Sequence, residues 1–174
     1  MADPYIHILN QVAPRPLHEA AWQACMSKNW YFGNNSNTGG PNVIPFWKMD
    51  LDGVETSDEL WRCAKPICEQ KLGQTLRIIR QYANGHTYGQ GGQVHQDDTR
   101  EGACTLLYYP MPTWKHDWDG ETMYFNAKGE VIAAIRPMPN RAVLFDSRIP
   151  HLGRAPSRFF SGLRVTIAFK LEAA

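Results

Sequence analysis

The chain has 174 residues, enough for one domain with a core of its own. Hydrophobic residues make up 43% and charged residues 20%, and the formal net charge is +1, so nothing global points to nucleic acid or an anionic membrane. There is no run of 18 apolar residues and no basic-then-apolar opening, which argues against a transmembrane helix and a signal peptide and leads us to expect a cytoplasmic protein. The four cysteines (Cys25, Cys63, Cys68, Cys104) form no CxxC pair and read as free, buried thiols.

In chain order, Leu17 to Lys28 has helical periodicity, with Leu17, Ala20, Ala21, Ala24 and Cys25 along one stripe and Pro16 at the tolerated first turn. Gly33 to Asn42 holds only small or polar residues and reads as a loop. A second helix is expected from Thr56 or Ser57, capped by the Ser57 hydroxyl, running to Leu72 and stopped by Gly73, with a kink or break at Pro66. From Gln74 onward short β-type runs alternate with turn signals: Thr75–Tyr82, Ala103–Tyr109, Thr122–Phe125, Val131–Ile135, Ala142–Phe145 and Leu163–Leu171. Two helices followed by about eight strands predict a mainly β fold with flanking helices, a β-sandwich or jelly-roll barrel. One domain is expected over 1–174, with helical support over about 1–73 and the barrel over about 74–171.

The segment Val94-His95-Gln96-Asp97-Asp98 carries the first chemical signal. On an extended strand His95 and Asp97 would share a face, with Gln96 and Asp98 pointing away. An imidazole and a carboxylate so placed can occupy adjacent positions around a metal. A third ligand must come from elsewhere, and His151, 56 residues downstream and just after a buried-looking strand, is the better placed. His116, in a loop, competes for that role. Two histidines and a carboxylate leave three positions of an octahedron open, the ligand set of oxygen-activating non-haem iron(II). Alone, HxD is a weak motif, because most such histidines are surface or core residues. His7, His18 and His86 read as ordinary surface or structural residues.

The last strand alternates almost perfectly: Leu163, Val165, Ile167, Phe169 and Leu171 on one face, Arg164, Thr166, Ala168 and Lys170 on the other. An amphipathic strand with Arg164 in water would show the same pattern. If helices cover the apolar face, Arg164 and Thr166 instead look into the barrel, where a guanidinium fork and a hydroxyl suit a bidentate grip on a carboxylate.

Together, His95-x-Asp97, His151 and Arg164 with Thr166 resemble the 2-oxoglutarate/Fe(II)-dependent oxygenase superfamily, particularly its prolyl-4-hydroxylase-like branch. The resemblance covers about Arg80 to Leu171. Arg80 to Gly85, Thr105 to Tyr109 and Pro139 to Asp146 are similar to the family's strands before the HxD, after it, and before the distal histidine. It implies a double-stranded β-helix (cupin-like) and a dioxygenase acting as a hydroxylase. It also implies iron(II) on His95, Asp97 and His151, with 2-oxoglutarate as co-substrate, O2 as oxidant and ascorbate as a stimulant. The co-substrate would chelate iron through its 1-carboxylate and 2-oxo groups. Its 5-carboxylate would meet Arg164 and Thr166, and Tyr82 or Tyr88. The stretch between Tyr82 and His95 is longer than in the family and glycine-rich (Gly89, Gly91, Gly92), so both tyrosines stay open. Related halogenases lack the carboxylate ligand; with Asp97 present, oxygen insertion into an unactivated C–H bond is expected.

For the substrate, Trp114 and Trp118 on a covering loop, with Arg148 and Arg154 around His151, are candidates for holding an anionic molecule. Tyr109, Tyr124, Phe125 and Arg158 belong to the same aromatic and basic surroundings. A prolyl residue in a peptide, a free amino acid or another small metabolite all fit. Three alternatives stand beside this: a cupin-type metal enzyme that does not use 2-oxoglutarate, a non-catalytic binding barrel, and a nucleic-acid demethylase. Near-zero net charge and the lack of a basic stripe speak against the last, and no membrane or nucleic-acid partner is expected.

Overall fold

The computed structural model describes residues 4–27, 29–36 and 43–174. In chain order the elements are β1 Ile6–Asn10, α1 Arg15–Cys25, β2 Tyr31–Asn34, β3 Phe46–Asp50, α2 Glu55–Leu72, β4 Leu76–His86 and β5 Cys104–Tyr109. A 3-10 turn over His116–Trp118 precedes β6 Thr122–Phe125, β7 Val131–Ile135, β8 Arg141–Asp146, β9 His151–Gly153 and β10 Arg164–Ala173. The strands form two antiparallel sheets, one ordered β1-β8-β5-β10-β4-β3-β2 and one ordered β7-β6-β9, as a jelly roll requires.

The two helices close the outer face of the larger sheet. Trp61 of α2 stacks on Phe169 of β10 with ring centroids 6.0 Å apart, and His18 of α1 meets the Tyr108 hydroxyl of β5 at 2.6 Å. Val165, Ile167, Phe169 and Leu171 are therefore covered by helix, and β10 is buried on both faces from Arg164 to Leu171. That leaves Arg164, Thr166, Ala168 and Lys170 facing the space between the sheets, as the alternation predicts when helices cover the apolar face.

Several expectations are corrected. The first 73 residues are more than helical support, since β1, β2 and β3 all join the larger sheet. These strands are four or five residues long and β2 is largely exposed, so they carry no period-two signal. Gly33 and Asn34, expected in a loop, end β2, while 37–42 lie outside the described residues. In α1 the buried residues are His18, Ala21 and Cys25, with Ala20 exposed; the helix ends at Cys25, and Lys28 lies outside the described residues.

Helix α2 starts at Glu55, and Ser57 does not cap it: its hydroxyl donates to the Gln81 side chain at 2.8 Å, tying the helix to β4. The helix runs unbroken through Pro66, which sits on the exposed face, where the forfeited hydrogen bond opens to water. Gly73 does end it, in the left-handed conformation (φ 64°), its N–H returning to the Glu69 carbonyl at 2.8 Å. All four cysteines are free thiols. No helix among the described residues is long and apolar enough to cross a membrane.

Candidate active site

A cavity of about 320 Å³ opens between the sheets. One wall is a ladder of four cross-strand pairs from β10 and β4: Arg164 opposite His86, Thr166 opposite Asn84, Ala168 opposite Tyr82, and Lys170 opposite Arg80. All eight residues line the cavity, because residues two apart on paired strands share a face. The opposite wall brings Thr122, His151 and Gly153 from β6 and β9, and His95, Gln96 and Asp97 from the preceding loop.

His95, Asp97 and His151 converge so that one ligand atom from each lies within 4.8 Å of the others. His95 Nε2 is 3.4 Å from Asp97 Oδ1, and His151 Nε2 is 3.5 Å from Asp97 Oδ2. The HxD segment is irregular, however, and no strand holds it. His95 and His151 exchange both backbone hydrogen bonds (3.0 and 2.9 Å) as an isolated bridge, and the Asp97 N–H reaches the Ser147 carbonyl at 3.0 Å. The sequence-based alternation is thus replaced by direct tethering of one ligand segment to the other. Gln96, expected to point away, also lines the cavity, while Asp98 turns to Arg100 at 2.8 Å.

Each histidine is locked in one orientation. The Nδ1 of His95 is 2.8 Å from the Gln93 carbonyl and that of His151 is 2.9 Å from the Ile149 carbonyl, so each donates there and leaves Nε2 as the acceptor facing inward. Burial pushes the His151 imidazole down to about 4, which keeps it neutral and able to ligate at neutral pH. Burial would raise the Asp97 carboxyl, but Lys170, His151 and His95 together hold it well below the usual carboxylate range. Its Oδ2 receives the Lys170 ammonium and the Thr105 hydroxyl (2.7 Å). Lys170, counter-charge to Asp97, is a residue that sequence reasoning missed. Its place on the Arg164 face was legible, but its partner was not.

Arg164 is 1% exposed, and among the described residues its hydrogen bonds go only to neutral acceptors: Nε to the Gly120 carbonyl (2.5 Å) and Nη2 to the Thr122 hydroxyl (3.0 Å). A buried guanidinium without a paired carboxylate is costly. The described residues thus place two imidazole Nε2 atoms beside a carboxylate, and a buried cation with no ion-pair partner among them, in one cavity. This donor set fits iron(II) and a dicarboxylate.

Residues 81–169 match the family model described as the 2OG-Fe(II) oxygenase superfamily. The chain belongs to that superfamily. Its cofactors are therefore iron(II), 2-oxoglutarate and O2, and it is a 2-oxoglutarate-dependent oxygenase.

Solved structures share the fold at low identity. A prolyl hydroxylase from Trichoplax adhaerens, in complex with a hypoxia-inducible-factor oxygen-degradation-domain peptide, superposes with a TM-score of 0.75 at 19% identity over 97% of this chain and 83% of that one. A prolyl-4-hydroxylase from Pseudomonas putida gives 0.72 at 14% identity over 97% and 92%. HygX from Streptomyces hygroscopicus, with nickel, 2-oxoglutarate and hygromycin B bound, gives 0.71 at 12% over 97% and 83%. A search of the curated proteins found no match.

The remaining sequence candidates in this superfamily member fall into distinct places. Tyr82 lines the cavity, whereas Tyr88 is exposed and lines an outer groove of about 500 Å³ together with Arg154 and Arg158. Trp114 and Trp118 pack with Phe160 in an aromatic cluster and do not line the cavity. Trp114 instead backs Gly120, whose carbonyl holds Arg164, and donates its indole N–H to the Asp119 carbonyl at 2.8 Å. Arg148 pairs with Asp146 at 2.6 Å and Arg154 with Glu121 at 3.5 Å, both away from the cavity lining. Tyr109 and Tyr124 are fully buried core residues. His116 is exposed beside Arg136 and takes no part in the triad.

Proposed function

We propose that this oxygenase binds iron(II) through His95, Asp97 and His151 and 2-oxoglutarate through Arg164, Thr166 and Tyr82. In this reading it hydroxylates an unactivated C–H bond of a prolyl residue, a free amino acid or another small metabolite. The observation that carries the reading is the placement of buried Arg164, without an ion pair among the described residues, on the same cavity as the triad. Iron, 2-oxoglutarate and O2 together supply the oxidation, with succinate and carbon dioxide as by-products. The chain's own residues orient and bind. The Nδ1 contacts of both histidines aim Nε2 at the metal. Lys170 and Thr105 occupy Asp97 Oδ2, which leaves Oδ1 as the free ligand oxygen. The Arg164 fork and the Thr166 hydroxyl take a carboxylate.

Substrate-dependent succinate release tests this, measured over a panel of prolyl peptides, free amino acids and small metabolites and followed by labelling with heavy-isotope O2. A product carrying one labelled oxygen is expected; a product without label overturns hydroxylation.

The Lys170–Asp97 pair gives a stability prediction. Removing one member of a buried pair typically costs about 3–5 kcal/mol, so Lys170→Met should destabilise the apoprotein by that order. A divalent metal then replaces the ammonium as counter-charge to Asp97. Anaerobic iron(II) should therefore raise the melting temperature of Lys170→Met more than that of the wild type. Equal shifts in thermal unfolding would contradict metal ligation by Asp97.

A further inference from the structure

His86 ends β4 directly opposite Arg164 on β10, and it lines the cavity. His86 is 4% exposed, and among the described residues neither Nδ1 nor Nε2 has a hydrogen-bond partner. The Phe46 ring meets it edge-on at 4.8 Å and fixes its plane. An imidazole buried with both nitrogens unsatisfied is destabilising, and side chains kept in that state mark a place where a ligand completes the bonding.

Gly153 on β9 lies against both side chains. A Cβ there would stand 2.9 Å from His86 Cε1 and 3.3 Å from both His86 Nδ1 and Arg164 Nη1. The imidazole and guanidinium therefore pack on one backbone position at the cavity wall, and a side chain at 153 would displace one or both. Burial, with Arg164 and His95 nearby, keeps the ring neutral, so it presents one N–H donor without repelling the guanidinium.

We propose that His86 and Arg164 form a two-residue grip on the carboxylate of 2-oxoglutarate that lies away from the metal, so that His86 is a binding residue that helps select a dicarboxylate over a monocarboxylate 2-oxo acid. This rests on the reading above that the triad holds iron and Arg164 the co-substrate. The neutral N–H of His86 donates to one carboxylate oxygen while the Arg164 fork donates to the carboxylate from the neighbouring strand.

The test is an anaerobic titration of the iron(II)-loaded protein, followed by the visible metal-to-ligand charge-transfer band. The titrants are 2-oxoglutarate and 2-oxopentanoate, which has the same chain length but no distal carboxylate. His86→Leu should weaken 2-oxoglutarate roughly 10- to 100-fold, as loss of one hydrogen bond to a charged group does. It should leave 2-oxopentanoate within about twofold. His86→Gln, which keeps a donor, should recover most of the affinity. Gly153→Ala should reproduce the selective loss, and it carries the test should His86→Leu fail to fold. An unchanged 2-oxoglutarate affinity in His86→Leu, or equal weakening of both ligands, overturns the proposal. A wild type that gives no band with either ligand overturns the underlying reading as well, and so is distinguishable from failure of the His86 role alone.

Discussion

Asp97→Ala is expected to abolish iron(II)-dependent succinate formation. The carboxylate is the one anionic member of the triad, and its ligand oxygen is fixed by contacts on the other oxygen from Lys170 and Thr105. Changes in groups that merely support a ligand cost about 10- to 100-fold in metal affinity or activity, so deleting the ligand itself should cost at least about 100-fold. The substitution also strands the Lys170 ammonium in a buried site, at about 3–5 kcal/mol of stability. Asp97→Ala combined with Lys170→Met removes that stranded charge and separates a folding defect from a catalytic one. The double variant should unfold more like the wild type yet remain inactive. Unchanged coupled turnover in either variant would contradict the assignment of Asp97.

Arg164→Ala should act on the co-substrate. Two charge-assisted hydrogen bonds at about 1.5–3 kcal/mol each correspond to an increase in the KM for 2-oxoglutarate of roughly 10²- to 10⁴-fold, with a smaller effect on kcat at saturation. Arg164→Lys keeps the charge but loses the planar fork that also bonds the Gly120 carbonyl and the Thr122 hydroxyl, so an intermediate KM is expected. Steady-state kinetics with 2-oxoglutarate as the varied substrate decide the matter. A KM unaffected in Arg164→Ala would show that the buried guanidinium is structural.

What the sequence discloses here depends on whether a residue's role is local. The alternation along β10 is enough to put Arg164, Thr166, Ala168 and Lys170 on one face, because strand period is a backbone property. His95, Asp97 and His151 are legible as a candidate ligand set from chemistry and spacing. Their geometry is not, since backbone bonds from 95 to 151 and from 97 to 147 take the place of a regular strand. Contacts set by long-range pairing stay hidden. Lys170 meets Asp97 across 73 positions of chain, and His86 reads as ordinary until β4 is paired with β10. The tryptophans show the opposite error. Trp114 and Trp118 have the composition of a binding wall, yet both pack against Phe160, and Trp114 backs Arg164 through Gly120. Aromatic composition alone does not separate packing from contact with a ligand.

One cavity should hold both iron, on His95, Asp97 and His151, and a 2-oxo acid beside it. Adding iron(II) and then 2-oxoglutarate to the apoprotein without oxygen tests this directly and needs no knowledge of the substrate. A visible charge-transfer band is expected in the wild type and should be absent in His95→Ala. Tight iron binding with no band on adding 2-oxoglutarate, or a band that survives His95→Ala, would contradict it.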